Sequence, residues 1–341
     1  MNKILHLFDE AYVIELFKKE VLPLYPTFSD IIRVTIKPYK KMVWTETYHV
    51  VISFDVYFLN LRGKEIKIPI VCSAHSSEER KNVFEALKYL RANNFKKSGF
   101  DLPRPLFYSE YFHGTFYRAI NGENLLHFIE SKETRVVENM VFLAGKLLAK
   151  LHQIPAGFEA NFNPLNARIE TVIPGVSHIF KEMEARYKGL YNEDLKRIYD
   201  YFIATEEKFF KAHDKLSLIH GDAHPENIIR TGEGRVGLID FTDLCLGDFA
   251  RDLGTFIQQL EYKVTIKAGD TTWAEKLKKL FLDSYLEATG ITMTSDLQER
   301  IELYYNFTAI RTTVFLFLKF ENDSRNGKLL LEKVKANLNL K

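Results

Sequence analysis

The chain has 341 residues, more than twice the roughly 150 residues of a common domain, so two packed regions are expected. Hydrophobic residues make up 46% and charged residues 27%, which excludes a disordered chain and a collagen-like fibre. Lys and Arg number 47 and Asp and Glu 45, so the net charge of +2 gives no reason to expect nucleic acid or an anionic membrane as a partner.

The cysteines and the apolar runs bear on the compartment. Only Cys72 and Cys245 occur, too few for a disulfide scaffold or a four-cysteine zinc site and typical of a reducing compartment. Asp9 and Glu10 interrupt the apolar stretch at the N-terminus before it reaches the length of a signal peptide. Residues 314–318, the most apolar run, fall far short of the ~20 residues of a membrane-spanning helix. We therefore expect a cytoplasmic protein.

The first third of the chain has the alternating pattern of β-strands. Residues 31–36, 48–60 and 65–71 predict strands, and residues 61–64 form a tight turn between the last two. Residues 37–42 are expected to be a loop between the first two strands. The pattern predicts an antiparallel meander.

A helix is expected directly after this meander. Ser76 as N-cap and Glu79 three residues later fit a capping box. Val83, Leu87 and Leu90 then lie on one helical face, which we expect to pack on the sheet.

A change of pattern near Gly122 marks the predicted domain boundary. Two short strands, residues 105–111 and 115–120, precede it, and mostly helical patterns follow. We therefore predict a β-rich nucleotide-binding lobe at residues 1–120 and a helical catalytic and substrate lobe at residues 121–341. The second lobe is expected to contain a long buried helix with an apolar face of seven residues: Val137, Met140, Val141, Ala144, Leu147, Leu148 and Leu151.

One β interruption of the helical region carries the chemistry. Asp222 is followed by Asn227 and, after a hairpin that turns at residues 232–234, by Asp240 at the end of a buried strand. This spacing matches the catalytic loop and the metal-binding aspartate of kinases. Mg²⁺ prefers hard oxygen ligands, which Asn227 and Asp240 would supply. Asp222 would orient and deprotonate an acceptor hydroxyl, and His220 would brace the loop.

The motif His220 to Asn227, followed by Ile239-Asp240-Phe241, resembles the signature of the aminoglycoside phosphotransferase and choline kinase family. The resemblance covers residues 31–260. It implies an α+β, protein-kinase-like fold of two lobes, a small antiparallel β lobe and a larger, mainly helical lobe. It also implies Mg²⁺, with ATP or GTP as co-substrate, and a small-molecule hydroxyl acceptor.

The family resemblance also assigns supporting residues. It implies a nucleotide-binding hinge at Arg118, Ala119 and Ile120. Asp252, which follows the metal aspartate as in the family, is expected to cap a helix or to brace the catalytic loop rather than to touch substrate. Relatives present a lysine from the third strand to the phosphates, whereas residues 68–73 contain none, and Lys67 is the nearest candidate. Lysines 37, 40 and 41 are further cations that could approach as point charges.

Three alternatives for the function follow. The missing strand lysine is compatible with a pseudokinase or nucleotide-binding interaction module. His220, Asp222 and His224, at alternate positions, are compatible with a zinc hydrolase, although no further ligands stand at a readable spacing. The small-molecule kinase is the leading hypothesis because the joint spacing of Asp222, Asn227 and Asp240 agrees with it.

The acceptor is the least determined part of the prediction. Residues 291–341 contain eight Lys or Arg and six Asp or Glu, so they lack the acidic surplus that a polycationic aminoglycoside would favour. A neutral sugar, an amino alcohol or a nucleoside-like compound is therefore favoured. Five aromatic residues are available to line its pocket: Tyr304, Tyr305, Phe307, Phe315 and Phe317.

Overall fold

The protein is described here by a computed structural model that covers residues 2–93, 95, 99–212, 215–319 and 324–339. In chain order the helices and strands are α1 (Glu10–Glu20), β1 (Phe28–Val43), β2 (Tyr48–Asn60), β3 (Glu65–His75), α2 (Lys81–Ala92), β4 (Arg104–Ser109), β5 (Gly114–Arg118), α3 (Leu125–Glu130), α4 (Thr134–His152), α5 (Val176–Tyr187), α6 (Asn192–Ala212), β6 (Ser217–Ile219), β7 (Ile228–Gly232), β8 (Arg235–Leu238), β9 (Cys245–Gly247), α7 (Ala250–Lys263), α8 (Thr271–Thr289), α9 (Ser295–Lys319) and α10 (Arg325–Asn337).

The chain forms two compact units. The first contains Met1–Gly122 together with Ile229–Thr242, and the second contains Glu123–Ile228 together with Asp243–Lys341. The hairpin of β7 and β8 thus clusters mostly with the N-terminal unit, although it lies far beyond residue 120 in the sequence.

The first unit is built on one antiparallel sheet of five strands in the order β1-β2-β3-β5-β4. Helix α1 packs against one face of it, and the rings of this interface meet edge to face. The centroid of Phe17 lies 5.2 Å from that of Phe54 and 5.9 Å from that of Phe116. Such contacts add to the free energy gained by burying apolar surface. The predicted antiparallel β lobe is present.

Strand β1 is longer than the sequence predicts. Residues 37–42, which we expected to be a loop, pair with β2 from Lys37 opposite Ser53 to Met42 opposite His49, so that prediction is wrong. Pro38 is tolerated because β1 is the edge strand and the register shifts between Pro38 and Lys40. The lysines of this segment therefore have positions fixed by the sheet.

The predicted start of helix α2 is also wrong. The helix begins at Lys81, and its N-cap residue Arg80 makes no side-chain capping hydrogen bond. The Ser76 hydroxyl instead accepts the N–H of Tyr48 at 3.1 Å. The helical face that we predicted from residues 83, 87 and 90 is buried, as expected.

The second unit is mainly helical. All seven residues of the apolar face that we predicted on α4 are buried. Helices α7 and α9 pack closely at Gly254, where a Cβ atom would lie 2.6 Å from the carbonyl oxygen of Ile301. None of the helices within the described residues has the length and apolar character needed to cross a bilayer.

Candidate active site

The loop that carries Asp222 begins where strand β6 ends. Gly221 turns the chain there with a φ of +82°, in the left-handed region that favours glycine. A Cβ atom at this position would lie 2.2 Å from Nδ2 of Asn166 and 2.5 Å from the carbonyl oxygen of Asp243. Conformation and space thus both require glycine directly before Asp222.

Asp252 holds this loop through hydrogen bonds to its backbone. Its fully buried carboxylate accepts the backbone N–H of His220 at 2.7 Å and that of Gly221 at 2.9 Å. His152 Nε2 lies 3.0 Å from the same carboxylate. Burial opposes ionisation, but hydrogen bonding to His152 and the charge of His220 lower the pKa of Asp252 below its usual value. The negative charge of Asp252 is therefore stabilised where it fixes the loop.

His152 is a residue of this arrangement that the sequence analysis missed. It lies in the last turn of α4, and its Nδ1 is 2.9 Å from the hydroxyl oxygen of Tyr285 on α8. The signal in the sequence is a histidine that directly follows the apolar face of α4. A buried polar side chain at such a position needs partners, which here are Asp252 and Tyr285.

We expect Asp252→Asn to destabilise the protein by about 3 kcal/mol or more, because an amide cannot accept all three hydrogen bonds and its NH₂ group would face a backbone donor. Urea unfolding measures this loss. Asp200→Asn is the matched control, since Asp200 is 64% exposed in a surface ion pair with Lys196 and should change stability by less than about 1 kcal/mol. Equal effects of the two variants would contradict the supporting role of Asp252.

Asn227 closes the short 3₁₀ helix Pro225–Asn227 and is buried. Its Nδ2 donates to the carbonyl oxygen of Asp222 at 3.0 Å. It also lies 3.1 Å from Nε2 of His224, but a protonated imidazole has no acceptor nitrogen, so this second contact is not a hydrogen bond while His224 is charged. No hydrogen-bond donor among the described residues contacts the amide oxygen of Asn227. That oxygen is consequently available to a hard cation.

Asp222 lies at one end of a row of side chains whose charges alternate in sign, followed by His224, Glu226 and Lys263. His224 Nε2 lies 3.5 Å from Asp222, and its Nδ1 lies 2.8 Å from Glu226, which also pairs with Lys263. Although desolvation opposes the charged forms, these neighbours raise the pKa of His224 to about 10 and lower that of Glu226 to about 2. His224, with Arg311 and His220, likewise holds the pKa of Asp222 well below its usual value. Asp222 is therefore a carboxylate at neutral pH.

Asp222 borders a cavity of about 910 Å³ that lies within the second unit. Its walls come from the loop that carries Asp222, from α7 with the π-helical turn Val264–Ala268, and from α9. A volume of this size holds a molecule of several rings. Of the five aromatic residues that we expected to line a pocket, Phe307 and Phe315 do so among the described lining residues.

The remaining predicted ligand, Asp240, belongs to the first unit. It follows β8 and has a φ of +61°, which is uncommon for a residue other than glycine. The hydroxyl group of Thr242 donates to its carboxylate at 2.8 Å. Residues with such backbone angles cluster at functional sites, and Asp tolerates them better than most residues.

The proposed phosphate residue Lys67 lies towards the exposed end of β3. Its Nζ is 3.5 Å from the carboxylate of Asp55, to which Lys37 Nζ also pairs at 3.7 Å. The side chains of these two lysines are 53% and 67% exposed. Both lysines already share one carboxylate at the surface of the first unit.

The predicted hinge follows strand β5. Arg118 still belongs to the strand, and the N–H of Ala119 donates to the carbonyl oxygen of Pro69 at 3.0 Å. No group among the described residues accepts the N–H of Ile120. The Ile120 side chain packs so closely on Gly237 that a Cβ there would lie 2.5 Å from its Cδ1. The contact fixes the hinge on the hairpin that leads to Asp240.

Lys40 differs from the other lysines of the first unit. It lies opposite Val51 on β2, and the same row continues through Ser73 on β3 to Thr115 on β5. The Thr115 hydroxyl donates to the carbonyl oxygen of Arg80. Lys40 is half-buried, and its side chain makes no hydrogen bond or ion pair within 4.0 Å among the described residues.

Charges around Lys40 define its surroundings. Desolvation and the charge of Arg80 lower its pKa, whereas the carboxylates of Asp240 and Glu78 act in the opposite direction. Lys40 therefore lies within electrostatic reach of Asp240. Lys41, the next residue, instead lies with its Nζ 4.3 Å from the ring centroid of Phe8.

The described residues contain no group of three or more His, Cys, Asp or Glu side chains placed to hold a metal ion. The zinc-hydrolase alternative thus gains no support from the arrangement of His220, Asp222 and His224.

Three solved structures that match the fold of this chain are kinases of small molecules. A spectinomycin phosphotransferase in complex with ADP and spectinomycin matches with a TM-score of 0.56 at 15% identity, over 96% of this chain and 94% of its own. The choline kinase of Streptococcus pneumoniae matches with a TM-score of 0.54 at 13% identity, over 96% of this chain and 99% of its own. An ethanolamine kinase of Plasmodium vivax matches with a TM-score of 0.52 at 14% identity, over 88% of this chain and 81% of its own. The chain therefore has the predicted protein-kinase-like fold.

Residues 48–300 match the sequence model of the phosphotransferase enzyme family, which includes the aminoglycoside phosphotransferases. The chain belongs to this family, and the resemblance inferred from the catalytic-loop motif is confirmed. No curated protein sequence matches the chain.

Proposed function

We propose that the protein transfers the γ-phosphoryl group of ATP, or of GTP, to a hydroxyl group of a small molecule. The observation that carries this proposal is Asp222, an ionised carboxylate on a braced loop at the edge of a cavity large enough for a small-molecule acceptor. Membership of the phosphotransferase family supports the reaction type. The ADP and spectinomycin bound by one structural neighbour support the two kinds of substrate.

In the proposed reaction the acceptor hydroxyl lies in the cavity and donates a hydrogen bond to Asp222. Its oxygen forms a bond to the γ-phosphorus while the bond from that phosphorus to the β,γ-bridging oxygen breaks, and ADP (or GDP) leaves. Asp222 takes the hydroxyl proton. Mg²⁺, when bound by Asn227 and Asp240, would neutralise charge on the phosphate oxygens. His220 and Asp252 position the loop.

For the nucleotide base, we propose the hinge Arg118 to Ile120. The N–H of Ile120 has no acceptor among the described residues and could donate to a purine ring. The phosphates need a cation as well. Because Lys67 shares Asp55 with Lys37 at the surface, Lys40 is the better candidate for the role of the missing strand lysine.

Lys40→Ala is expected to raise KM for ATP by roughly tenfold, which corresponds to the loss of a contact worth ~1.4 kcal/mol. Lys41→Ala and Lys67→Ala are the matched controls, because both remove a lysine from the same sheet whose side chain already has a partner, the ring of Phe8 for Lys41 and the carboxylate of Asp55 for Lys67. Steady-state kinetics at saturating acceptor would measure the three effects. A rise with Lys67→Ala alone would return the role to Lys67.

The proposed function is tested by coupled ADP release over a panel of sugars, amino alcohols, hydroxy acids and aminoglycosides, with Mg²⁺ and ATP or GTP. We expect turnover with at least one small hydroxyl compound above the rate of nucleotide hydrolysis in water alone. Phosphorylation of the acceptor is verified by its gain in mass.

The second candidate is a pseudokinase or nucleotide-binding interaction module. Residues 68–73 of β3 carry no lysine, which favours this candidate. Thermal unfolding with and without Mg²⁺ and ATP separates the hypotheses, because a bound nucleotide raises the melting temperature. A shift without turnover of any acceptor would favour the interaction module, and no shift at all would contradict the proposed kinase.

A further inference from the structure

The cavity beside Asp222 is closed on one side by polar contacts between α7 and α9. The hydroxyl oxygens of Thr255 and Thr308 are 3.1 Å apart. One turn along both helices, Nε2 of Gln259 donates to the hydroxyl oxygen of Thr312 at 2.8 Å. Arg311 is the α9 residue adjacent to this second contact and lines the same cavity. The wall that holds Arg311 is thus fixed by hydrogen bonds.

The charges that line the cavity are mostly positive. Among the described residues, five Lys or Arg line it and only two carboxylates, Asp222 and Glu226. Glu226 is paired with both His224 and Lys263, and His224 also lies beside Asp222. Each carboxylate therefore already has a positive neighbour. A cationic acceptor would find no unengaged acid here, which would disfavour its binding.

The cations differ in how far they are already engaged. Arg251 is buried and donates to Oδ1 of Asn166 at 2.8 Å, and Lys267 pairs with Glu130 at 2.7 Å. Arg311, by contrast, donates one hydrogen bond, to the carbonyl oxygen of Ile173 at 3.2 Å. No carboxylate among the described residues lies within 4.0 Å of its guanidinium. Since a guanidinium carries five N–H donors in a planar fork, most of them remain available.

Arg311 is also held in place by its surroundings. It is half-buried, and its guanidinium carbon lies 5.9 Å from the ring centroid of Phe307. Its charge acts on Asp222, whose pKa it helps to lower. Phe307, Phe315 and Ile179 are apolar lining residues of the same cavity. An anion bound to Arg311 would therefore place the rest of its molecule against apolar side chains and within the field of Asp222.

We propose that the acceptor of this enzyme carries an anionic group, a carboxylate or a phosphate, which Arg311 binds in the cavity beside Asp222. This inference rests on the proposed phosphotransferase function and makes it more specific. Arg311 favours such a group because charge-assisted hydrogen bonds from a guanidinium are stronger than neutral ones and match the geometry of both anions. The acceptor is then an anionic hydroxy compound, and Arg311 acts as its specificity-determining residue.

The test uses four probes that share one ring and differ in charge: benzoate, benzyl phosphate, benzyl alcohol and benzylamine. Each is titrated calorimetrically into the full-length protein with saturating ADP and Mg²⁺, which protects the nucleotide site from benzyl phosphate. We expect the wild type to bind at least one anion more tightly than the alcohol and the amine. Tighter binding of benzoate would indicate an acceptor with a carboxylate, and tighter binding of benzyl phosphate an acceptor with a phosphate.

Two variants locate the anion site. Arg311→Gln should weaken binding of the preferred anion about tenfold or more, and Arg311→Lys should restore part of it, since a point charge lacks the planar fork. Arg186→Gln is the matched control, because Arg186 also donates to a backbone carbonyl, that of Leu318, but does not line the cavity. It should leave anion binding unchanged.

Several outcomes would overturn the proposal: tighter binding of benzylamine, anion binding that Arg311→Gln does not change, or no anion binding up to about 10 mM. Titration of the same preparations with ADP and Mg²⁺ separates the causes. Nucleotide binding without an Arg311-dependent anion would reject the anionic acceptor alone. If the wild type does not bind ADP, the proposed kinase function is contradicted. Weaker anion binding by Arg311→Gln would still support the anion site at Arg311 in that case.

Discussion

Asp222→Asn is expected to lower kcat by ~10²- to 10⁴-fold while the affinity for ADP or ATP with Mg²⁺ stays nearly the same. The substitution keeps the size of the side chain but removes the group that orients the acceptor hydroxyl and takes its proton. The effect should be large because the surroundings hold Asp222 ionised, with His224 at 3.5 Å. Single-turnover phosphorylation of the best acceptor measures the rate, and calorimetry measures nucleotide binding.

Asp283→Asn is the matched control for this variant, since Asp283 lies 58% exposed on α8 in an ion pair with Lys279. It should leave both rate and affinity unchanged. A rate for Asp222→Asn above about a tenth of the wild-type value would contradict the assignment, given the usual size of acid–base contributions. A loss of nucleotide binding would instead show that Asp222 contributes to the metal or nucleotide site.

The sequence predicts the elements that have a clear period. The apolar faces of α2 and α4 are buried as their spacing indicates, because a helix that covers a core must repeat apolar residues every three or four positions. The fold class followed from the motif of residues 220–227 and 239–241, since kinase relatives share that spacing.

Local signals failed where a distant partner decided the outcome. The polar, lysine-rich segment 37–42 is typical of a loop, yet it is strand because β2 offers a continuous ladder to its backbone. Ser76 is a residue type that commonly caps a helix, but its hydroxyl oxygen accepts the backbone N–H of Tyr48 on β2 instead. A single sequence does not contain these pairings in any local pattern.

The supports of the candidate site were hidden for the same reason. From the sequence Asp252 could be either a helix cap or a brace of the loop, and its contact with His152 joins residues 100 positions apart. Arg311 has no motif at all. In the sequence it is one more cation on a helix, and only the cavity shows that it lies near Asp222 without a carboxylate partner of its own.

Asp240→Asn is expected to weaken Mg²⁺-dependent nucleotide binding by at least about tenfold, because it removes the negative charge from a proposed metal ligand. Asparagine is preferred to alanine here. The φ of +61° at Asp240 is better tolerated by Asp and Asn than by residues without a short polar side chain, so a folding defect is avoided.

The measurement is ADP affinity with Mg²⁺ and with EDTA, since only the difference between the two reports the metal. In the wild type Mg²⁺ should tighten binding, and Asp240→Asn should abolish most of that gain while affinity in EDTA changes little. Glu233→Gln, an exposed change in the turn of the same hairpin, is the control and should keep the full gain. If Asp240→Asn retained the Mg²⁺ effect, the metal would have to be held by other residues, and the proposed ligand pair with Asn227 would be wrong.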